Sequence, residues 1–580
     1  AFEANGYTLD QFKALFHLNI NETDWTWKWE ENPVSIPGAE GDQTTNYIVA
    51  TATYNKALKP GEITEISLAQ IALDPSAGNA DIEGFGETYQ ILVKTQAIQA
   101  EGFDSPDAAL KDGFGDVAEK LPFENDSPIQ GIDLRTALHY YEGDTTNQIT
   151  KKVTNVIFGL NKDYPDVVDS YVGTLVDVEQ DVPVHAYYVP NGSNYDVHFL
   201  ASDDIYLPKD STRLFYNMSV LEEVDSYNLN TSRTEIMKDM FKYCSVLKQV
   251  KSLGTWDTRS LVSTWDMFAH CLALETIEGM QNWNFDNALN LCGLFQRCIT
   301  LQDDDMHVIE NWDISNVEDI SWMFKGCTGL VELDLSNWDT GNVKKFNSMF
   351  SSSSSNTGDM NLISMGIENW DTSSGENMGY MFYGCGDLVS IDLSNWDVSR
   401  NTTFNHFFTD CYNLKDVNFS GWDTSNVELF AAMFNNCNII EYLDLSDFDT
   451  QNAKHFDQMF EYCAKLKEIK GLENWNTSNV VSFYEMFSGC GSLTELNLST
   501  FNTSNVADTF RNFNGCGNLK TIYVGDGWDM SNVTSYAAMF SGCNNLVGGN
   551  GTVFAGSDLK YACVDTAENP GYFTHINDKP

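Results

Sequence analysis

A mainly β chain with short helices, divided into an N-terminal β-sandwich and a C-terminal solenoid of about 13 repeats, is the architecture that the sequence predicts. Three observations predict it. A phenylalanine returns every 26 or 27 residues, at Phe215, Phe241, Phe268, Phe295, Phe324, Phe350, Phe382, Phe408, Phe434, Phe460, Phe487, Phe513 and Phe540, with longer steps of 29 before Phe324 and 32 before Phe382. Of the 13 cysteines, twelve lie between Cys244 and Cys543, mostly one per repeat, and the first 243 residues hold none. Near the start, Trp25, Trp27 and Trp29 alternate with Thr26 and Lys28, the period of a strand with one apolar face.

Residues 1–145 read as the sandwich. Further strands are expected at Tyr47 to Tyr54, Ile63 to Ile71 and Thr88 to Ala97, separated by the turn-forming Lys59-Pro60-Gly61 and a glycine-rich stretch around Ala77 to Gly86. Short helices are expected at Leu9 to Phe16 and at 104–110, where Asp104-Ser105-Pro106 supplies a cap and a first-turn proline. Residues 146–213 read as a β-rich adaptor and N-terminal cap, with strand cores at Val153 to Phe158 and Val184 to Tyr188 and a hairpin signal at Asn191-Gly192.

Residues 214–547 are the solenoid, and one block defines its frame: Phe324, Cys327, Leu330, Leu333, Leu335, Trp338, Asp339. The frame recurs as Phe382, Cys385, Leu388, Ile391, Leu393 and Trp396. Leu333 and Leu335 alternate with Glu332, Asp334 and Ser336, which predicts a short leucine-rich-repeat-like strand with one wet face. The Asp339-Thr340-x-Asn342-Val343 turn offers side chains to orphan backbone groups. The spacing of Met381-Phe382-x-x-Cys385 predicts one turn of helix closing the coil, with the cysteine as a small buried hydrophobe. Ser353 stands where one repeat should have cysteine, beside a serine run at 351–355 expected to bulge as a loop. Residues 548–580 leave the repeat and read as a C-terminal cap and tail.

Charge bounds the function. Against 33 Lys plus Arg stand 83 Asp plus Glu, a formal net charge of -50, and such a field repels phosphate backbones, so nucleic acid is excluded as a partner. No run of about 18 apolar residues occurs to span a membrane, and a start at Ala1 reads as a processed or truncated product. The cysteine positions argue against a disulfide framework. His139, His185 and His198 lie in strand-like contexts without metal-ligand spacing, and no P-loop, dinucleotide fingerprint, nucleophile elbow or paired-carboxylate motif stands out, so the chain reads as no enzyme. Asp313, Asp339, Asp371, Asp397 and Asp423 read as turn formers.

Binding is then expected on the outward strand positions. Glu332, Asp334 and Ser336, then Ser390, Asp392 and Ser394, then Asp416, Asn418 and Ser420, then Tyr442, Asp444 and Ser446 should form neighbouring rows on one concave face. Stacked carboxylates would repel, so such rows either stay hydrated or recruit cations or basic groups; calcium is the one candidate ion, and no other cofactor is implied.

The block Leu333-Asp334-Leu335-Ser336-Asn337-Trp338-Asp339-Thr340-x-Asn342-Val343, followed by Met349-Phe350, resembles the BspA-like leucine-rich-repeat surface proteins of bacteria, over about 214–573. The resemblance implies an extracellular, cell-surface adhesin that meets a host or matrix protein or glycan. Tyr54-Asn55-Lys56-Ala57-Leu58-Lys59-Pro60-Gly61-Glu62 and Ile91 to Ala100 resemble the TasA and camelysin-like secreted β-sandwich proteins, over about 20–105. That likeness implies a matrix component, with self-assembly through the N-terminal domain as the alternative function. On this reading the early strands before Asn21 to Trp29 are missing, either removed or supplied by another chain, and in the second case Trp25, Trp27 and Trp29 mark the strand that a neighbouring chain would complete.

Overall fold

The computed structural model describes backbone strands at 16–20, 25–29, 34–37, 44–47, 50–54 and 68–73, then residues 132–139, and then 152–580 apart from 178–179, 181 and 354–359. The chain divides into two compact units, 1–149 with 172–176, and 150–171 with 177–580.

In the first unit, three antiparallel pairs are nested in sequence. Phe16–Ile20 pairs with Leu68–Leu73, Trp25–Trp29 with Ala50–Tyr54, and Val34–Pro37 with Thr44–Tyr47. The Trp25–Trp29 strand therefore forms as its alternation predicts, with Trp25 opposite Tyr54 and Trp29 opposite Ala50. Within the expected strand from Tyr47 to Tyr54, Tyr47 ends a strand paired with Val34–Pro37 while Ala50–Tyr54 pairs with Trp25–Trp29, and of the strand expected at Ile63 to Ile71 the described part is Leu68–Leu73, residues 63–67 lying outside the described residues. Phe16 opens a strand instead of closing a helix: Phe16-His17-Leu18-Asn19-Ile20 alternates apolar and polar residues, and the period of two wins. An opening strand thus does precede Asn21. The rest of the helix expected from Leu9, the strand at Thr88 to Ala97 and the helix at 104–110 lie outside the described residues. His139 ends a short helix, Leu134–His139, and not a strand.

The second unit begins with a sheet that runs straight into the repeats. Val184–Asn191 and Asn194–Ala201 form a hairpin across Asn191-Gly192, where Gly192 takes the φ of +63° that the tight turn requires. Asn194–Ala201 pairs in parallel with Val153–Leu160, which pairs with Glu223–Asp225, which pairs with Gln249–Lys251. The first coil is therefore paired on both edges. Phe158 stacks on Phe199 at 5.1 Å and meets Phe215, the first phenylalanine of the repeat, edge-on at 6.3 Å, so one apolar core serves sheet and coils.

Most following coils add a short parallel strand or a single bridge, then a turn, then a second bridge. Ser390–Asp392 pairs with Asp416–Asn418, Tyr442–Asp444 with Glu468–Lys470, and Glu495–Leu498 with Thr521–Val524, on which Phe573–His575 of the C-terminal segment is laid. Every phenylalanine of the ladder stacks face to face on the next, from Phe215 on Phe241 at 4.7 Å to Phe513 on Phe540 at 5.7 Å. Rings of 0 to 1% exposure in such a column supply the coil-to-coil cohesion.

The helical turn expected around each ladder phenylalanine is not a helix. The residues two before and two after it adopt positive φ, as Tyr380 (60°) and Gly384 (73°) do around Phe382; Ser352, in the longest coil, is the exception. Left-handed residues turn alternate amides outward along the stack. Tyr380, Phe382 and Gly384 donate their N–H groups to Asn405, Phe407 and Thr409 of the next coil, while Met381, Tyr383 and Cys385 close turns within their own. A helix would satisfy its amides internally and leave adjacent coils unbonded. Among the described residues of the repeats the one α-helix is Asp303–Met306, whose capping box joins Gln302 and Asp305.

Candidate functional site

The side chains of the repeat divide into those that build the coil and those left over for a ligand. The expected structural ladder is buried throughout: Phe324, Cys327, Leu333, Leu335, Trp338, Phe382, Cys385 and Trp396 are at most 5% exposed. Burial obliges their polar atoms to find partners inside. The indole Nε1 of Trp338 donates to the carbonyl of Ile309 and that of Trp396 to Ile367, both at 2.9 Å. The thiol of Cys327 donates to the carbonyl of Phe295 at 3.0 Å, and that of Cys385 to Phe350 at 3.3 Å. All 13 cysteines are free, Cys292 and Cys298 included, and burial pushes the Cys327 thiol up to about 12. A thiol so raised is neutral and a poor nucleophile.

The Trp-Asp turns are equally structural. Asp313, Asp339, Asp371, Asp397 and Asp423 each accept the N–H two residues onward. The neighbouring threonine and asparagine tie the turn to both adjoining coils: Thr424 Oγ1 donates forward to Asp449, and Asn426 Nδ2 donates back to Ser399.

What remains is the outward strand face. Glu332, Asp334, Ser336, Ser390, Asp392, Asp416, Asn418, Tyr442 and Asp444 are exposed and Ser394 half-exposed, on a strip whose alternate residues Leu333, Leu335, Leu443 and Leu445 are buried. Adjacency differs from the expectation of stacked carboxylates. Ser390 lies beside Asp416, Asp392 beside Asn418, Tyr442 beside Glu468 and Asp444 beside Lys470, while Glu332 is bridged to Ser364. The acids thus alternate with neutral or cationic neighbours, which removes most of the repulsion. Lys470 Nζ lies 2.7 Å from Asp444, and that ammonium, with the Ser446 hydroxyl, draws the carboxyl down to about 2. Hydrogen bonds from the hydroxyls and amides of Ser336 and Ser394 lower Asp334 and Asp392. These groups are ionised and turned into local hydrogen bonds. Tyr442, 60% exposed, is the largest apolar surface of the strip, with the Lys467 ammonium 5.7 Å from its ring centre. A ring flanked by a cation and carboxylates can stack on a sugar or an aromatic side chain while hydrogen-bonding its rim. Glu468, Lys470, Glu495 and Lys579 extend the strip; the same register, read one coil further along Glu468-Ile469-Lys470, would have found the first two.

Two other features escape the sequence reading. Glu461 and Glu485, 4% and 5% exposed, are brought together one coil apart, bridged by Gln458, whose amide donates to Glu461 at 2.6 Å and to Glu485 at 3.3 Å. Arg511 holds Glu485 at 3.2 Å, and burial, with the Glu485 charge, raises Glu461 to about 7. Their signal is only positional, one residue after Phe460 and two before Phe487. An open groove of about 760 Å³ lies elsewhere, over Glu235, Arg259, Val262, Asp286, Leu289 and Glu318. Among the described residues no three metal-ligating side chains converge, and no helix is long and apolar enough to cross a membrane.

No curated protein matches the chain. Among solved structures, the crystal structure of a TLR13-ssRNA13 complex is similar at 14% identity and a TM-score of 0.18, over 60% of this chain and 48% of that one, so the chain spans about half that protein's length. One family model matches five times in overlapping register, at 209–307, 272–365, 302–416, 355–469 and 432–549. Overlapping matches are what a serial repeat produces. Since they span more than half of the chain, it belongs to the family described as Mycoplasma protein of unknown function, DUF285.

Proposed function

We propose that this chain is a secreted or cell-surface binding protein, resembling the BspA-like adhesins, whose leucine-rich-repeat-like coils present the outward strand face to a host or matrix protein or glycan. The observation that carries the reading is the division of labour within the repeat. The repeated frame of each coil is consumed by packing and coil-to-coil hydrogen bonds, whereas Asp392, Asp416, Asn418, Tyr442 and Asp444 are exposed and vary from coil to coil. A preorganised exposed ring among ionised groups loses little entropy on binding. No catalytic role is proposed. Calcium, if it acts, does so on this strip, and a chelator would then lower the melting temperature or the ligand affinity. The test is a glycan and matrix-protein array probed with the full chain and with a Tyr442→Ala, Asp416→Lys variant. Binding lost in the variant supports the reading; a ligand held equally by both sinks this face as the site.

A second reading, a filament or matrix subunit assembled through residues 1–145, is favoured by one observation. Among the described residues the Trp25–Trp29 strand is paired on one edge only, by Ala50–Tyr54, and an unpaired edge accepts a strand from a neighbour. The adaptor and the C-terminal cap, at 146–213 and 548–580, cover the two ends of the solenoid on this reading and leave the N-terminal domain as the contact. Electron microscopy of the full chain beside a chain starting near Lys151 separates the two. Filaments from the longer chain alone support assembly through the N-terminal domain, and filaments from both assign the contact to the repeats.

A further inference from the structure

The strand face already holds one lysine of its own chain. Leu496, Leu498, Ile522 and Val524 are buried, so Glu495, Asn497, Thr521 and Tyr523 are the outward positions of the last paired strands, with Thr521 beside Glu495 and Tyr523 beside Asn497. Tyr523 points outward by register and yet is only 6% exposed. Beyond the strand Phe573–His575, which is laid on Thr521–Val524, the 3-10 turn Ile576–Asp578 brings Lys579 back over this face. Its ammonium lies 4.7 Å from the centre of the Tyr523 ring and 2.9 Å from the Glu495 carboxylate, one coil earlier. Ring and carboxylate attract the same cation, the first through its electron-rich face and the second through its charge.

The same two kinds of group stand uncovered three coils earlier. Among the outward positions of the paired strands from Ser390 to Val524, the aromatic residues are Tyr442 and Tyr523. Tyr442 is 60% exposed. Glu468 is its register partner in the next coil, and Asp416 holds the same repeat position, eight residues after the ladder phenylalanine, in the coil before. Both acids are exposed. Neither makes an ion pair among the described residues, whereas the neighbouring Asp444 and Glu441 are taken by Lys470 and Lys467. Lys467 lies 5.7 Å from the Tyr442 ring centre but is bonded to Glu441 at 2.6 Å, and it leaves the ring open.

We propose that the strip around Tyr442 receives a lysine side chain of a protein partner, its ammonium over the Tyr442 ring and against the carboxylates of Asp416 and Glu468, as Lys579 lies over Tyr523 against Glu495. This rests on the strand face being the binding surface, and it narrows the partner from a protein or glycan to a lysine-bearing protein segment. The methylene stem of a lysine packs on the ring while its head stays with the carboxylates. The chain's net charge of -50 draws a basic partner toward the face, whereas a neutral sugar would use the ring alone. The test is fluorescence anisotropy of the full chain, at about 150 mM salt, with a labelled peptide of alternating lysine and serine and with the same peptide acetylated on every lysine. The variants are Tyr442→Ala, the pair Asp416→Asn with Glu468→Gln, and a control pair on another face, Glu376→Gln with Glu428→Gln, which removes equal charge. Each is checked for an unchanged melting temperature, and the acetylated peptide reads the lysine requirement in the unmutated chain. Tyr442→Ala and the strip pair should each weaken the lysine peptide about fivefold or more, with the control pair unchanged and the acetylated peptide unbound. Equal weakening by the strip and control pairs, or equal affinity for the acetylated peptide, would overturn the proposal. So would a neutral glycan that Tyr442→Ala releases while the lysine peptide does not bind; that result keeps the strand face as the surface and removes only the lysine. If no ligand depends on Tyr442, both readings fall.

Discussion

Cys385 illustrates how a residue in the repeat is chosen. Its side chain is fully buried, and its Sγ–H donates to the Phe350 carbonyl of the coil before. A serine there would bury a more strongly hydrated group, so Cys385→Ser is expected to cost about 1–3 kcal/mol, read as a shift in the denaturant midpoint. The same burial holds the ladder thiols neutral. In the folded protein only Cys563, which is half-buried, should label with iodoacetamide, and a reductant should leave the melting curve in place; ladder cysteines recovered as disulfides from unreduced protein would contradict this. Glu461 gives the matching prediction in pH. Its folded pKa of about 7 lies above the ordinary carboxylate value, so the native state holds a proton that the unfolded state has released. This favours the native state below the unfolded pKa, and the advantage is lost as pH rises through about 7. Glu461→Gln should therefore gain stability relative to wild type between pH 5 and 8, and parallel profiles of the two proteins would refute the assignment.

Elements were legible to different degrees. The hairpin at Asn191-Gly192 and the strand Trp25–Trp29 could be read directly, because a turn dipeptide and a period of two each have one structural meaning. The segment around each ladder phenylalanine could not. Its 3-to-4 spacing suits a helical turn as well as a train of β-turns, and the residues that decide the matter, such as His406, Ala432 and Gln458, take positive φ without being glycine. Nothing in their identity announces it; the coil-to-coil amide bonds impose it. The strand face was legible in register and misjudged in charge, since Asp444 meets Lys470 one coil beyond the rows considered. Where glycine does carry the conformation, substitution should be severe. Gly471 has a φ of +100°, and a Cβ there would sit 2.6 Å from the Leu445 carbonyl atoms, so Gly471→Ala is expected to destabilise by about 2 kcal/mol or more. Thr424→Val, which removes one bond to the Asp449 carbonyl, should cost about 1 kcal/mol. Urea unfolding of both variants orders the two effects.

At the scale of the whole repeat array, stability resides between coils and function on the side chains the coils leave over. Rings, thiols, threonines, asparagines and alternate amides all bond forward or backward along the stack, so each coil is held by its neighbours and none by itself. The family match over 209–549 falls in overlapping register, as a serial repeat produces. The function proposed for the array depends on one surface, and that surface can be reversed without touching the core. The direct measurement takes the ligand identified by the array and compares its affinity for the full chain, for an Asp392→Lys, Asp416→Lys variant on the strand face, and for a Glu428→Lys, Lys454→Glu exchange on another face of the same coils. All three proteins should melt together, with binding lost only in the first variant; equal loss from both variants, or from neither, would contradict the assignment of the strand face as the binding surface.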